Sequence, residues 1–96
     1  MMVYRNQFGQ LHRVDGPALV YANGTQLWYL NDQLHRVDGP AVEYPDGMCS
    51  WLINGQLHRL DGPAIIRADG SQEWWVNGQR LTGFEVWVLT GTKEGA

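Results

Sequence analysis

The string Leu-His-Arg-x-Asp-Gly-Pro-Ala begins at Leu11, at Leu34 and at Leu57, so it recurs every 23 residues with no insertion or deletion. A fixed period of this length marks a chain assembled from supersecondary units, each burying its apolar face against its neighbours. Other columns keep the same register. Trp28, Trp51 and Trp74 form one, Leu30, Ile53 and Val76 a second, and Asn31, Asn54 and Asn77 a third. The third is followed by Asp32, Gly55 and Gly78, while Asn23, Asp46 and Asp69 precede Gly24, Gly47 and Gly70. The whole chain reads as one repeat domain, 1–96, with units at about 1–23, 24–46, 47–69 and 70–80 and a C-terminal cap over 81–96.

Each unit reads as two strands and two turns. Asn54-Gly55 and Asn77-Gly78 are hairpin turns, because both central residues of such a turn need positive φ. The Asn/Asp-Gly column at 23, 46 and 69 is assigned the same turn for the same reason. Strand formers lie between, as in Gln26-Leu27-Trp28-Tyr29-Leu30 and Ser50-Trp51-Leu52-Ile53, opposite segments such as Ala41-Val42-Glu43-Tyr44. The His-Arg-x-Asp-Gly-Pro run is irregular, since proline lacks the donor that a central ladder needs. No window has the apolar spacing of a long helix. The expectation is an all-β, single-layer antiparallel hairpin array of about seven or eight strands with atypical ends.

The ends depart from the repeat. Phe8-Gly9 stands in the Asn-Gly column of the first unit, and Arg5 in the tryptophan column. After Gly78 the motif breaks off. Thr82 with Glu85 has the form of a capping box, which predicts a short helix covering the last hairpin through Phe84, Trp87 and Val88. Val86 and Val88 also permit a strand, and Gly91 to Ala96 are expected to fray.

The pattern Trp-x-x-Asn-Gly-x-x-His-Arg-x-Asp-Gly-Pro-Ala-x-x-x-x-Asp-Gly resembles a variant of the MORN repeat, which shares the unit length, the aromatic, the Asn-Gly turn and the terminal Asp-Gly. The resemblance covers roughly residues 8 to 80. The His-Arg-x-Asp-Gly-Pro-Ala segment replaces a simpler His-Gly-x-Gly, and units of this kind resemble those in proteins of large DNA viruses and bacteriophages. The resemblance implies an elongated hairpin array used for protein or lipid contact, with no catalytic residue.

Composition narrows the function classes. Net charge is -3 and pI is about 5.4, so neither direct nucleic-acid binding nor attraction to anionic lipid is expected. The apolar runs are too short for a membrane span, and Met1 to Asn6 lack the apolar core of a secretory signal. Cys49 is the single cysteine, which fits a reducing compartment, and a cytoplasmic location (that of the host cell, if viral) is expected.

Three columns are candidates for binding. His12, His35 and His58 invite a metal, but equivalent residues two strands apart are separated by about 10 Å, too far for shared ligands. An imidazole bonded to a turn carbonyl or to the neighbouring repeat is the structural reading, and no metal or cofactor is expected. Arg13, Arg36 and Arg59 each precede an aspartate by two positions (Asp15, Asp38 and Asp61). They read as internal ion pairs, as neighbours of an Asx turn in which the aspartate caps the Gly-Pro turn, or as a guanidinium ladder for carboxylates or phosphates. Trp28, Trp51 and Trp74 share one strand parity, and Tyr29, Leu52 and Trp75 the other. Both faces are therefore apolar, so either the array closes a core on itself or a partner covers one face.

No Ser-His-Asp or Cys-His grouping recurs, and the glycines lead into strands, not into a phosphate-binding helix. The expected function is a non-catalytic protein-binding module, which the resemblance extends to a viral or phage accessory protein that binds and inhibits a host protein or defence factor. The alternatives are a sponge for a small anionic ligand or nucleotide signal, and a self-associating structural unit.

Overall fold

The computed structural model describes residues 1–90, and the expectation that Gly91 to Ala96 fray lies outside the described residues. The chain is an all-β array of antiparallel hairpins closed by a short helix, extending 47 × 26 × 17 Å. Its strands are β1 (Met2–Val3), β2 (Leu19–Val20), β3 (Gln26–Leu27), β4 (Tyr29–Leu30), β5 (Gln33–Leu34), β6 (Val42–Glu43) and β7 (Cys49–Ser50). They continue as β8 (Leu52–Ile53), β9 (Gln56–Leu57), β10 (Ile65–Ile66), β11 (Gln72–Glu73), β12 (Trp75–Val76) and β13 (Gln79–Arg80), before helix α1 (Gly83–Thr90).

The strands form two rows. One is a seven-stranded sheet in the order β1-β2-β3-β6-β7-β10-β11, and the other is the three hairpins β4–β5, β8–β9 and β12–β13. This is more and shorter strands than the seven or eight expected, and the reason lies at the tryptophans. The Trp28 amide donates to the Ala41 carbonyl at 2.8 Å, on the sheet side, whereas its carbonyl accepts from His35 N–H at 3.0 Å, on the hairpin side. Trp51 does the same with Ala64 and His58 at 2.7 and 3.1 Å. An uninterrupted antiparallel strand gives both groups of such a residue to one neighbour. Trp28 and Trp51 therefore each pass the chain from one row to the other and divide the predicted strand in two.

Consecutive hairpins are tied together along the second row. Arg36 N–H donates to Leu52 O at 3.1 Å and Gly55 N–H to Leu34 O at 2.8 Å, with equivalent bonds one unit before and after. The histidines complete this joint. Nδ1 of His12, His35 and His58 accepts the backbone N–H of Asn31, Asn54 and Asn77 at 3.1, 3.0 and 3.0 Å. The partner is thus the neighbouring repeat, through a turn amide and not a turn carbonyl, and the accepting nitrogen fixes the Nε2–H tautomer.

The two turn columns are different turns. Asn54 and Gly55 have φ of 48° and 79°, as a two-residue primed hairpin turn requires. Asp32 takes φ of 66° where the other units have glycine, and its Oδ1 accepts Leu11 N–H at 2.6 Å. In the other column only the glycines, Gly24, Gly47 and Gly70, have positive φ. There Tyr21 N–H donates to Thr25 O and Gly24 N–H to Tyr21 O, both at 3.0 Å. That pattern is a type I turn with a glycine bulge. Asn23, Asp46 and Asp69 support it by accepting the amide two residues on, at 2.9 Å in each case. The first loop is built the same way, with Asn6 N–H donating to Gln10 O and Gly9 N–H to Asn6 O. It is one residue longer than an Asn-Gly turn, so Tyr4, not Arg5, takes the tryptophan position and donates its amide to Ala18 O at 2.7 Å.

The array closes a thin core of its own. Ala18, Ala41 and Ala64 are fully buried, and Ala41, Val42 and Leu52 pack with Leu27, Trp28, Leu34 and Leu57. Among the described residues no large side chain is completely buried, so backbone ladders and inter-repeat polar contacts hold much of the fold. At the C-terminus the capping box forms. Thr82 N–H donates to Glu85 Oε1 at 2.8 Å, and Glu85 N–H to Thr82 Oγ1 at 3.2 Å. The helix docks through Val86, which is buried, whereas Phe84, Trp87 and Val88, expected to cover the hairpin, remain exposed.

Three carboxylates are held below their ordinary range by the fold. Glu73 accepts Trp75 Nε1–H at 2.9 Å and pairs with Arg67 at 2.6 Å. The indole bond is the larger cause and the guanidinium the next. For Glu85 the leading cause is the Thr82 amide, and for Asp69 the Ser71 amide. A carboxylate that ionises more readily in the folded state stabilises it above the unfolded-state value of about 4, and that contribution drains as pH falls through the lower, folded-state value. The contribution of these three carboxylates to thermal stability should therefore be full at neutral pH and drain progressively below about pH 4. Glu73→Gln should melt lower at neutral pH and lose part of this acid-side slope. An unchanged slope would remove Glu73 from the account.

Candidate protein-binding face

The His-Arg-x-Asp-Gly-Pro loops line one side of the array, and each is organised by its arginine. Arg36 lays its guanidinium over the Trp28 ring, with Cζ 3.8 Å from the centroid. Its Nε meets Asp38 Oδ1 at 3.1 Å and its Nη1 donates to Pro40 O at 3.1 Å. The opposite face of the guanidinium lies on Gly39, where an added Cβ would stand 2.7 Å from Arg36 Cζ. Arg59 repeats this with Trp51 at 3.8 Å, Asp61 at 3.0 Å, Pro63 O at 3.0 Å and Gly62. Arg13 does so with Tyr4 at 4.2 Å, Asp15 and Pro17 O at 3.3 Å, and Gly16. The motif follows from this sandwich. Arginine supplies a planar fork, glycine leaves room for its face, and the aromatic of the preceding hairpin supplies the other wall.

Of the three readings open for the arginines, the internal ion pair is the geometry found. The aspartate carboxylates receive Arg Nε and, among the described residues, no turn amide, so the Asx cap of the Gly-Pro turn is not formed. The arginine side chains keep 27, 20 and 22 % of their surface, whereas Asp15, Asp38 and Asp61 keep 88, 86 and 89 %. Each pair is thus a dipole with its negative end outward. Between arginine and aspartate the variable position is aliphatic every time. Val14, Val37 and Leu60 are 80, 79 and 57 % exposed at the loop tips. These residues were not among the candidates read from sequence, although aliphatic side chains at all three copies of a loop position were a visible signal.

Successive loops enclose two equivalent clefts. One, about 550 Å³, has Trp51, Ile53 and His58 on its floor and Val37, Asp38 and Leu60 on its walls. The other, about 380 Å³, is the same site one unit earlier, with Trp28, Leu30 and His35 below Val14, Asp15 and Val37. The structure therefore brings Trp28, Trp51, His35, His58 and all three arginines to this face. His12 sits in the first joint, bonded to Asn31. Trp74 is half-buried, and among the described residues no guanidinium stacks on it, because Thr82 occupies the arginine position and caps the helix instead. Trp75 is bonded to Glu73 at the sheet end. Tyr29 is half-buried in β4, and burial, followed by Tyr21, raises its phenol above the ordinary value.

Two chemical options draw no help from this arrangement. The Nδ1 atoms of the three histidines are committed to turn amides, and among the described residues no three His, Cys, Asp or Glu side chains converge as metal ligands. Burial, followed by the charge of Glu43, pushes the Cys49 thiol up, away from the nucleophilic thiolate.

The sandwich predicts an order of stability effects. Arg36→Ala removes a stacked cation and its hydrogen bonds to Asp38, Pro40 O and Glu43, and should cost about 2 kcal/mol or more, seen as a fall of roughly 10 °C in Tm. Gly39→Ala should cost a similar amount by displacing the guanidinium. Asp38→Ala should cost less than half as much, because its carboxylate is exposed. Thermal melts of the three variants check this, and a fall for Asp38→Ala equal to that of Arg36→Ala would contradict it.

Compared with known proteins, the chain matches no family model, no curated protein and no solved structure.

Proposed function

We propose that the chain is a non-catalytic, MORN-like repeat module that binds a protein through the loop face. The observation that carries this reading is the column of exposed Val14, Val37 and Leu60 above two equivalent aromatic-floored clefts. Exposed aliphatic tips have no part in closing the core, and leaving them in water repeats a small cost in every unit. A row of similar grooves suits a partner that makes the same kind of contact more than once. The viral or phage setting belongs to the same proposal, with a host protein as the partner and inhibition as the outcome. The anionic-ligand alternative receives less support, since each guanidinium already meets a carboxylate, a carbonyl and a ring.

The test is affinity capture from host-cell lysate with the wild-type chain and with a Val37→Asp, Leu60→Asp double variant. Both substitutions lie at exposed tips, so Tm should change little. The wild type should retain a specific protein that the variant loses. Recovery of the same protein by both, or of none by either, would sink the reading.

A further inference from the structure

Resting on that reading, the spacing and polarity of the loop face define the chemistry of what it binds. Equivalent residues in successive units are two strands apart in the sheet, which places the loop tips about 9.6 Å from one another. An extended β-strand covers that distance in three residues, but three is odd, so its side chains would reach successive tips from opposite faces. A polyproline II helix covers about 9.3 Å in three residues and completes one turn, bringing every third side chain back to the same face. An α-helix also matches with a seven-residue step of about 10.5 Å, but a cylinder about 10 Å wide would rest on the tips without entering the clefts.

Polarity selects the side chain at each third position. Asp15, Asp38 and Asp61 face outward, with Oδ1 on the loop's own arginine. With 88, 86 and 89 % of their side-chain surface exposed, these carboxylates are open to a cation from solvent. Between tips, Val37, Leu60, Trp51 and Ile53 form the apolar part of the cleft, and Asp38, Asp61 and His58 its polar part. The apolar part suits proline rings, while the polar rim suits the cation beside them. We propose that the loop face binds a proline-rich segment in polyproline II conformation that carries a lysine or arginine at every third residue. Each cation meets one aspartate and the intervening prolines fill the clefts. Such a segment is already ordered when free, so little conformational entropy is lost on docking.

The test uses the full chain and labelled synthetic peptides of about nine residues, long enough to reach three tips. An Arg-Pro-Pro repeat should bind saturably by fluorescence anisotropy, and more weakly as salt is raised. Three comparison peptides should each bind at least about tenfold more weakly. They are an Arg-Pro-Pro-Pro repeat, which breaks the spacing, an Arg-Gly-Ser repeat, which keeps charge but loses the conformation, and a Glu-Pro-Pro repeat. Asp38→Asn with Asp61→Asn should weaken the Arg-Pro-Pro peptide by about tenfold or more while the chain still melts cooperatively. Failure of the Arg-Pro-Pro peptide to bind, or equal affinity for the Arg-Pro-Pro-Pro or Arg-Gly-Ser peptide, would overturn the proposal. If the peptides fail while a captured protein still depends on Val37 and Leu60, this inference falls and the protein-binding reading stands. If that dependence is absent as well, both fall.

Discussion

Each repeat turns on a guanidinium held between an aromatic ring and a glycine. The ring stands at the start of a hairpin and the arginine in the loop that follows it, and the Trp28 backbone bonds both ends of that loop, its carbonyl accepting His35 N–H and its amide donating to Ala41 O. Arg36 spans Trp28, Asp38, Gly39 and Pro40 at once. No other residue type has a flat, permanently charged group that can be stacked on both sides while its edge donates in two directions. The constraint explains neighbouring residues as well. Any side chain at Gly39 would displace the guanidinium, and Ala41 just beyond is fully buried where the next row begins.

Stability in such an array is distributed and local. The core is thin, and no large side chain among the described residues is fully enclosed. Each unit leans on its neighbours through the histidine–turn amide bond and the loop-to-hairpin amides, and is braced internally by the stacked arginine. An arrangement of this kind behaves as a chain of coupled units, in which the terminal units set the limit. The first unit uses Tyr4 in place of tryptophan, with a longer loop braced by Asn6. The last gives up its arginine for Thr82, and a capped helix buries Val86 instead.

The same stack frees the outer surface for recognition. With the arginine's donors committed inside the loop, what reaches solvent is an aliphatic side chain and a carboxylate, repeated at a regular interval. Rigidity and periodicity then come from one device. The loop that fastens the repeat also presents the groove.

Much of this was legible in the sequence. The period at Leu11, Leu34 and Leu57 determined an all-β hairpin array, Asn54-Gly55 and Asn77-Gly78 determined primed turns, and Thr82 with Glu85 determined a helix start. These signals are local, set by φ and by amides within a few residues. What only the tertiary structure decided involves contacts between repeats. Trp28 and Trp51 pass the chain from one row of hairpins to the other because the amide and carbonyl of each find partners on opposite sides. Tyr4 replaces Arg5 in the aromatic column because a three-residue loop shifts the register by one. The histidines meet turn amides 19 residues ahead. Arginine and aspartate occupy one motif two positions apart, yet one is enclosed and the other exposed. That division follows from the ring eight positions back, as Trp28 is from Arg36, which is laid over the guanidinium only once the hairpin between them has folded.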